Sequence, residues 1–118
     1  MRPTAEPLEC VWLNPTNTVA VITEDLLSAW RVWQAGHTAV PLLGAHVRPE
    51  RLAKMIGEGH KDWVVWLDND KPEINDAARY IRSLAAALGG NAWISGSDKE
   101  PKHYNAEQVL AHIQSNTR

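Results

Sequence analysis

Short apolar runs alternate with longer segments of helical periodicity along most of the chain. The runs are four to six residues long, are rich in β-branched and aromatic residues, and cover residues 19–22, 38–43, 63–67 and 91–95. Because turn residues bound each run, each predicts a buried strand. Strands that alternate with helices are typical of parallel sheets with right-handed crossovers. The pattern therefore predicts an α/β fold with a four-stranded, mainly parallel sheet and helices on both of its faces.

The first two intervening segments have the start and stop signals of helices. Thr23 can cap a helix over residues 24–36, and a second helix begins at Pro49 and ends near Gly57. Apolar residues at helical spacing predict the inward stripe of the first helix, which consists of Leu26, Leu27, Trp30 and Trp33. We therefore expect both helices to pack against the sheet.

The third helix has the most regular pattern. Its apolar positions recur until Gly89 and Gly90 stop the helix, and they are Ile74, Ala77, Ala78, Ile81, Ala85 and Leu88. A polar loop over residues 96–104 follows the fourth strand. Asn105 and Gln108 then predict a capping box at the start of the last helix.

Residues 1–17 differ from the rest of the chain. They contain Pro3, Pro7 and Pro15, and the apolar run over residues 8–13 is compatible with an antiparallel edge strand flanked by prolines. We therefore expect an N-terminal segment over residues 1–17 and a single domain over residues 18–118.

Acidic residues follow three of the predicted strands. Glu24 follows the first strand, Asp68 and Asp70 end the third, and Asp98 and Glu100 lie in the loop after the fourth. The carboxyl ends of parallel strands share one edge of a sheet, so we expect these loops to converge. Grouped carboxylates suit a hard divalent cation such as Mg²⁺ or Mn²⁺. Taken alone, each acidic segment is also typical of a solvated turn.

Basic side chains lie in the same loops although the chain as a whole is weakly acidic. The 118 residues carry a net charge of -2, so contact with nucleic acid would need a local basic patch or metal ions. The basic groups nearest the predicted edge could hold phosphates as point charges. They are Lys71, Lys99, Lys102 and His103.

Composition excludes several other classes of protein. The single cysteine, Cys10, rules out a disulfide within the chain and a cysteine-based zinc site. No apolar run approaches the ~20 residues that cross a membrane, and residues 1–9 do not have the pattern of a signal peptide. These features favour a cytoplasmic location and no membrane partner.

Four segments resemble those of a known family. Residues 21–29, 42–44, 66–71 and 99–104 are similar, in order and in placement at strand ends, to segments of the Toprim domain of primases, topoisomerases and some nucleases. The similarity is greatest to phage-type DNA primases. The resemblance covers nearly the whole chain and implies a Toprim-like variant of the Rossmann-like α/β architecture.

The resemblance also implies roles for the acidic residues. It makes Glu24 the acid or base, and it makes Asp68 and Asp70 the ligands of Mg²⁺ or Mn²⁺ in the catalytic centre. Glu100 stands where the family usually has an aspartate that helps at a metal, and either Glu100 or Asp98 could reach a second ion. The metal site would thus draw on all five carboxylates.

The chain departs from the family at three further positions. Asp25 stands where glycine commonly follows the glutamate, and Ser28 stands where a further acid is often found. Glu73 replaces a glycine, and it adds negative charge at the start of a helix. The three central carboxylates, Glu24, Asp68 and Asp70, are present.

The function implied by the resemblance is Mg²⁺-dependent nucleotidyl or phosphoryl transfer in DNA replication, on single-stranded DNA and nucleotides. A primase also needs a zinc-binding module and a basic subdomain, so we expect either a fragment or a small protein that works with other primase domains or replication proteins. Two alternatives remain: a small metal-dependent nuclease that uses the same carboxylates, and a non-catalytic module that binds nucleic acid or the replication machinery.

The chain contains six tryptophans and no phenylalanine. We predict that most of them pack in the core, namely Trp30, Trp33, Trp63, Trp66 and Trp93. Trp12 is the best candidate for stacking on a base. The histidines have no spacing typical of metal ligands, which favours structural or surface roles for them.

Overall fold

Four parallel strands form the centre of the protein in the computed structural model, which describes residues 19–42, 49–68, 72–95, 97 and 99–117, without the side chains of residues 51 and 72–75. The strands are β1 (Val19–Thr23), β2 (Thr38–Pro41), β3 (Asp62–Val65) and β4 (Asn91–Ile94). Their order in the sheet is β2-β1-β3-β4, and every pair is parallel. The predicted four-stranded parallel sheet is therefore confirmed.

Helices connect the strands in the predicted alternation. They are α1 (Leu26–Gln34), α2 (Pro49–Gly57), α3 (Pro72–Ala87) and α4 (Ala106–Asn116), and a 3₁₀ turn (Pro101–His103) precedes α4. The predicted capping box is present at α4, because Asn105 and Gln108 each accept a hydrogen bond from the other's backbone N–H. The local signals at the start of α4 were thus sufficient to place it.

Alternate residues of each strand point to opposite faces of the sheet and build two separate layers of core. On one face Ile22 and Val65 pack with α2 and α3, through Leu52, Met55, Ile56, Ala78, Ile81 and Ala85. On the other face Val21 and Val64 pack with α1 and α4, through Ala29, Val32, Val109 and Ile113. Helices therefore cover both faces of the sheet, as predicted.

The prediction for α1 was wrong in two respects. Its N-cap is Asp25, whose carboxylate accepts a hydrogen bond from the backbone N–H of Ser28 at 2.8 Å, whereas Thr23 is the buried last residue of β1. The predicted inward stripe faces outward, and its exposed fractions are Leu26 45%, Leu27 68%, Trp30 47% and Trp33 41%. The buried residues are the smaller Ser28, Ala29 and Val32.

The buried face of α1 was predicted wrongly because the helix has apolar residues on two of its sides. Ala29 and Val32 form a second face at helical spacing, so periodicity alone does not select which face meets the sheet. Capping by Asp25 sets where the helix starts, and the small side chains of Ser28 and Ala29 let it lie close to the sheet. Trp63 and Trp66 are buried as predicted, and Trp93 is half-buried.

Close backbone approach explains one of the two glycines that stop α3. Gly89 has a positive φ of 90°, which ends the helix, and Gly90 continues into β4. A Cβ atom at Gly90 would lie 2.8 Å from the carbonyl oxygen of Lys61 and 3.1 Å from Cδ1 of Ile56. Gly90 therefore allows β4 to meet the segment before β3.

Some predictions fall outside the described residues. They include the N-terminal segment over residues 1–17, its edge strand, Cys10 and Trp12. Across the part of the chain that is described, no helix is long and apolar enough to span a bilayer.

Candidate metal centre

Three carboxylates meet at the carboxyl edge of the sheet. Glu24 follows β1, Asp68 follows β3, and Glu100 lies in the segment between β4 and the 3₁₀ turn. One carboxylate oxygen from each residue can be chosen so that all three lie within 4.8 Å of one another. Residues that are far apart in sequence are therefore brought together as the sheet topology predicted. We call Glu24, Asp68 and Glu100 the acidic trio.

The strand order explains why the trio forms here. In the sheet, β2 lies on one side of β1 and β3 lies on the other, so the direction of the crossovers reverses between β1 and β3. In an open parallel sheet, ligands usually bind in the crevice at such a reversal, outside the carboxyl ends of the two strands. Glu24 and Asp68 follow the two strands that flank this crevice, and Glu100 follows the next strand.

The environment of Glu24 disfavours its charged form. Burial raises the pKa of Glu24 most, and the nearby charges of Glu100 and Asp68 raise it further. The backbone N–H of Asp68, which donates to the Glu24 carboxylate, lowers this pKa but does not reverse the shift. Glu24 therefore keeps its proton to a higher pH than an ordinary glutamate does.

Two carboxylate oxygens of the trio are buried without a hydrogen-bond partner in the described part of the chain. They are Oε1 of Glu24 and Oε1 of Glu100. Glu100 as a whole is only 9% exposed. Buried carboxylate oxygens that lack donors are costly, and a hard divalent cation bound by oxygen ligands would remove that cost. The chemistry of this donor set therefore fits a hard divalent cation.

Lys102 lies beside the trio and contacts two carboxylates. Its Nζ is 2.6 Å from Oδ2 of Asp25 and 3.5 Å from Oε2 of Glu100. Burial would raise the pKa of Asp25, but the hydrogen bonds from the Lys102 ammonium and from the backbone N–H of Ser28 outweigh it and lower that pKa. The hydrogen bond to Asp25 is also the main cause that raises the pKa of Lys102.

A network of hydrogen bonds holds the segment that carries Glu100. The indole N–H of Trp66 donates to the carbonyl oxygen of Lys99 at 2.8 Å, and the hydroxyl of Ser97 donates to the same oxygen at 2.9 Å. The hydroxyls of Ser97 and Tyr104 lie 2.9 Å apart. Trp66 thus links the end of β3, which carries Asp68, to the segment that carries Glu100.

A second contact fixes the start of this segment. Oγ of Ser95 lies 2.7 Å from Nε2 of His112 on α4, and it also accepts the backbone N–H of Ser97. The imidazole of His112 packs against the Trp66 ring in a tilted arrangement, with ring centroids 4.3 Å apart. Sequence reasoning missed these supporting residues and the ion pair of Asp25, because nothing in their local sequence shows which distant group they meet.

The remaining predicted site residues divide into two groups. Asp70, Lys71 and Asp98 lie outside the described residues. Lys99 and His103 have exposed side chains. Of the five predicted metal ligands, the structure brings together Glu24, Asp68 and Glu100, and a phosphate-binding role for the basic residues stays a prediction.

Comparison with known proteins adds information on the fold. No protein-family model and no curated protein matches this sequence. A crystal structure of the Aquifex aeolicus primase, comprising its zinc-binding and RNA polymerase domains, superposes with a TM-score of 0.66. This chain has a primase-like fold. The similarity covers 83% of this chain and 26% of the Aquifex chain, at 17% sequence identity. The chain therefore spans about a quarter of the Aquifex chain in that structure, and the likeness concerns the fold.

Proposed function

We propose that this chain is a Toprim-like domain that performs Mg²⁺-dependent nucleotidyl or phosphoryl transfer on nucleic acid, as a primase does during DNA replication. The observation that carries this proposal is the acidic trio at the carboxyl edge of a primase-like sheet, with two buried carboxylate oxygens that lack donors. Because the chain spans only part of the Aquifex primase, we propose that it acts together with further primase domains or with a replication partner.

The residues of the site divide the chemistry between them. Asp68 and Glu100 would hold the divalent cation, with Asp70 and Asp98 as further ligands proposed from the sequence. A bound Mg²⁺ neutralises charge on phosphate oxygens during transfer. Glu24 shares the site, and its pKa, raised above that of an ordinary glutamate, suits a group that accepts a proton from an attacking hydroxyl.

The proposed substrates are single-stranded DNA and nucleoside triphosphates. The net charge of -2 gives the chain no general attraction for a polyanion, so binding would depend on the cation and on nearby lysines. Lys71, Lys99, Lys102 and His103 are the proposed phosphate contacts. We therefore expect nucleic-acid binding to depend on both divalent cation and salt concentration.

The first prediction concerns cation binding. Titration calorimetry with MgCl₂ and MnCl₂ should show binding by the wild type and a loss of at least tenfold in affinity for Asp68→Asn and for Glu100→Gln, because each change removes a charged ligand. Glu58→Gln is a matched control, since Glu58 is exposed in the turn after α2. Equal affinity in all four proteins would reject the trio as a metal site.

Activity assays on the same proteins distinguish the reactions. Primer synthesis from nucleoside triphosphates on single-stranded DNA, lost in Glu24→Gln and retained in Glu58→Gln, is the result expected of a primase-like enzyme. Cleavage of DNA or RNA with the same dependence would indicate a nuclease, in which the site directs water at the phosphorus. Cation binding without either reaction, also in the presence of the partner domains, would indicate a binding module.

A further inference from the structure

The ammonium group of Lys102 is placed between the trio and a fourth carboxylate. Nζ of Lys102 lies 2.6 Å from Asp25 and 3.5 Å from Glu100, and the side chain is only 30% exposed. Asp25 is not a member of the trio; it is the N-cap of α1 and directly follows Glu24. Lys102 therefore offsets the negative charge of Glu100, which belongs to the trio, and that of Asp25, which caps α1.

A divalent cation held by Glu100 would place a second positive charge close to this ammonium group. Two cations that share one poorly exposed carboxylate repel each other, and burial makes the repulsion stronger than in bulk water. The ammonium has a second carboxylate partner in Asp25, which can retain it without Glu100. The Lys102 ammonium thus has two carboxylate partners, Asp25 and Glu100, and only Glu100 belongs to the trio.

We propose that Lys102 is a built-in counter-ion that competes with the divalent cation for Glu100, and that Asp25 is the seat that holds Lys102 when the divalent cation is bound. The Asp25–Lys102 pair thereby sets how tightly the acidic trio binds its metal. This inference rests on the proposed function, because it assumes that the trio binds a divalent cation.

Asp25 can serve as this seat without giving up its structural role. One oxygen, Oδ1, accepts the backbone N–H of Ser28 as the cap of α1, and the other, Oδ2, accepts from Lys102. The backbone N–H of Lys102 also donates to Oγ of Ser28 at 3.3 Å. A change in the charge of the Lys102 side chain therefore leaves the backbone link between α1 and the 3₁₀ turn in place.

The test, and the second prediction, is the Mg²⁺ affinity of the full chain with Lys102→Met, measured by titration calorimetry. Methionine keeps an unbranched apolar stem and the backbone N–H but has no charge. We expect Lys102→Met to bind Mg²⁺ about tenfold more tightly than the wild type, since screening of a partly exposed charge limits the effect. Lys99→Met is the matched control, because it removes the same charge from an exposed lysine next to Glu100 and should change affinity much less.

A second pair of variants tests the role of Asp25. Asp25→Asn keeps a good helix cap but removes the charged seat, so the ammonium should remain on Glu100 and Mg²⁺ affinity should fall several-fold. In the Lys102→Met background, Asp25→Asn should change Mg²⁺ affinity little, because no ammonium group remains for Asp25 to bind. Lys102→Arg keeps the charge and should bind Mg²⁺ nearly as weakly as the wild type, which guards against an effect of misfolding in Lys102→Met.

The outcomes separate this inference from the proposed function. If the wild type binds Mg²⁺ and Lys102→Met binds it equally or more weakly, the inference is overturned while the metal site stands. Additive effects of Asp25→Asn and Lys102→Met would overturn the role of Asp25 as a seat. If no protein of the series binds Mg²⁺ or Mn²⁺, the inference and the proposed function both fail.

Discussion

Trp66 is the residue that connects the buried core to the acidic trio. Its indole ring is fully buried between the sheet and α4, and its N–H reaches the carbonyl oxygen of Lys99. Asp68 follows Trp66 by two positions and Glu100 follows Lys99 directly. A single side chain therefore limits the separation between two of the three carboxylates, and it does so from the core layer between the sheet and α4.

The third prediction tests this link with two matched substitutions. Trp66→Phe removes the N–H donor and should lower stability by about 1–3 kcal/mol, because it leaves the Lys99 carbonyl oxygen with one donor fewer and places a smaller ring in the core. It should also weaken Mg²⁺ binding several-fold, since the segment that carries Glu100 loses one of its hydrogen bonds.

Trp63→Phe is the control, because Trp63 is equally buried but donates to the carbonyl oxygen of His60 near the start of β3 and packs on the opposite face of the sheet. We expect Trp63→Phe to lower stability similarly and to leave Mg²⁺ affinity unchanged; a loss of affinity in both variants would argue against a specific link.

At the scale of elements, the parallel crossovers bring the acidic residues to one edge of the sheet, and backbone hydrogen bonds restrain the loops that carry them. The parallel pairing continues for one residue beyond β2, β3 and β4 at this edge, because the backbone N–H of Leu42 donates to Thr23, that of Trp66 to Ile22, and that of Ser95 to Val65. The loops that carry the trio thus begin from backbone that is already hydrogen-bonded, which limits how far they can move. The opposite edge is held differently, through the close contact of Gly90 with the segment before β3.

The fourth prediction concerns that contact. Gly90→Ala should lower the free energy of unfolding by roughly 1–3 kcal/mol, because the new Cβ atom would clash with a backbone oxygen that cannot rotate away. Gly57→Ala is the matched control: Gly57 lies in α2 with nothing within 4 Å of the added atom and should be neutral or stabilising by about 0.5–1 kcal/mol. Chemical denaturation of both variants measures the difference, and equal stability would remove the close approach as the reason for Gly90.

Comparison of α1 with the acidic trio shows which features could be predicted from the sequence and which could not. The convergence of Glu24, Asp68 and Glu100 could be predicted, because parallel strands with short connections leave their carboxyl ends at one edge of the sheet. The buried face of α1 could not be predicted, because apolar residues occupy both of its sides. The Asp25–Lys102 pair was also beyond prediction, because its partners meet only after α1 and the 3₁₀ turn have docked.

At the scale of the whole molecule, two histidines make the fold sensitive to acid. Burial lowers the pKa of His37, which is 3% exposed, and it lowers the pKa of His112 on α4. The native state therefore holds both rings neutral at pH values where the unfolded chain, with an ordinary histidine pKa of about 6.5, already takes up protons. Their contribution to stability is present above that value and is lost as the pH falls.

The fifth prediction follows from this difference in proton uptake. The free energy of unfolding should decrease as the pH falls from 6.5 to 5, by up to about 1.4 kcal/mol per pH unit for each histidine. His112→Gln, which keeps a polar group for Ser95, should make the decrease shallower. Urea denaturation over this pH range measures the slopes, and identical slopes in the wild type and His112→Gln would exclude His112 as a source.

The origin of the acidic trio in three separate crossover units has a consequence for the life of the chain. A ribosome-bound or partly degraded chain that lacks any one of these units has at most two of the carboxylates, and without the sheet it has no reason to bring them together. Such a chain presents only isolated acids, which bind a divalent cation weakly. The proposed divalent-cation site would therefore form only after synthesis has passed Glu100 and the sheet has folded, and proteolysis that removes any one of these units would abolish it.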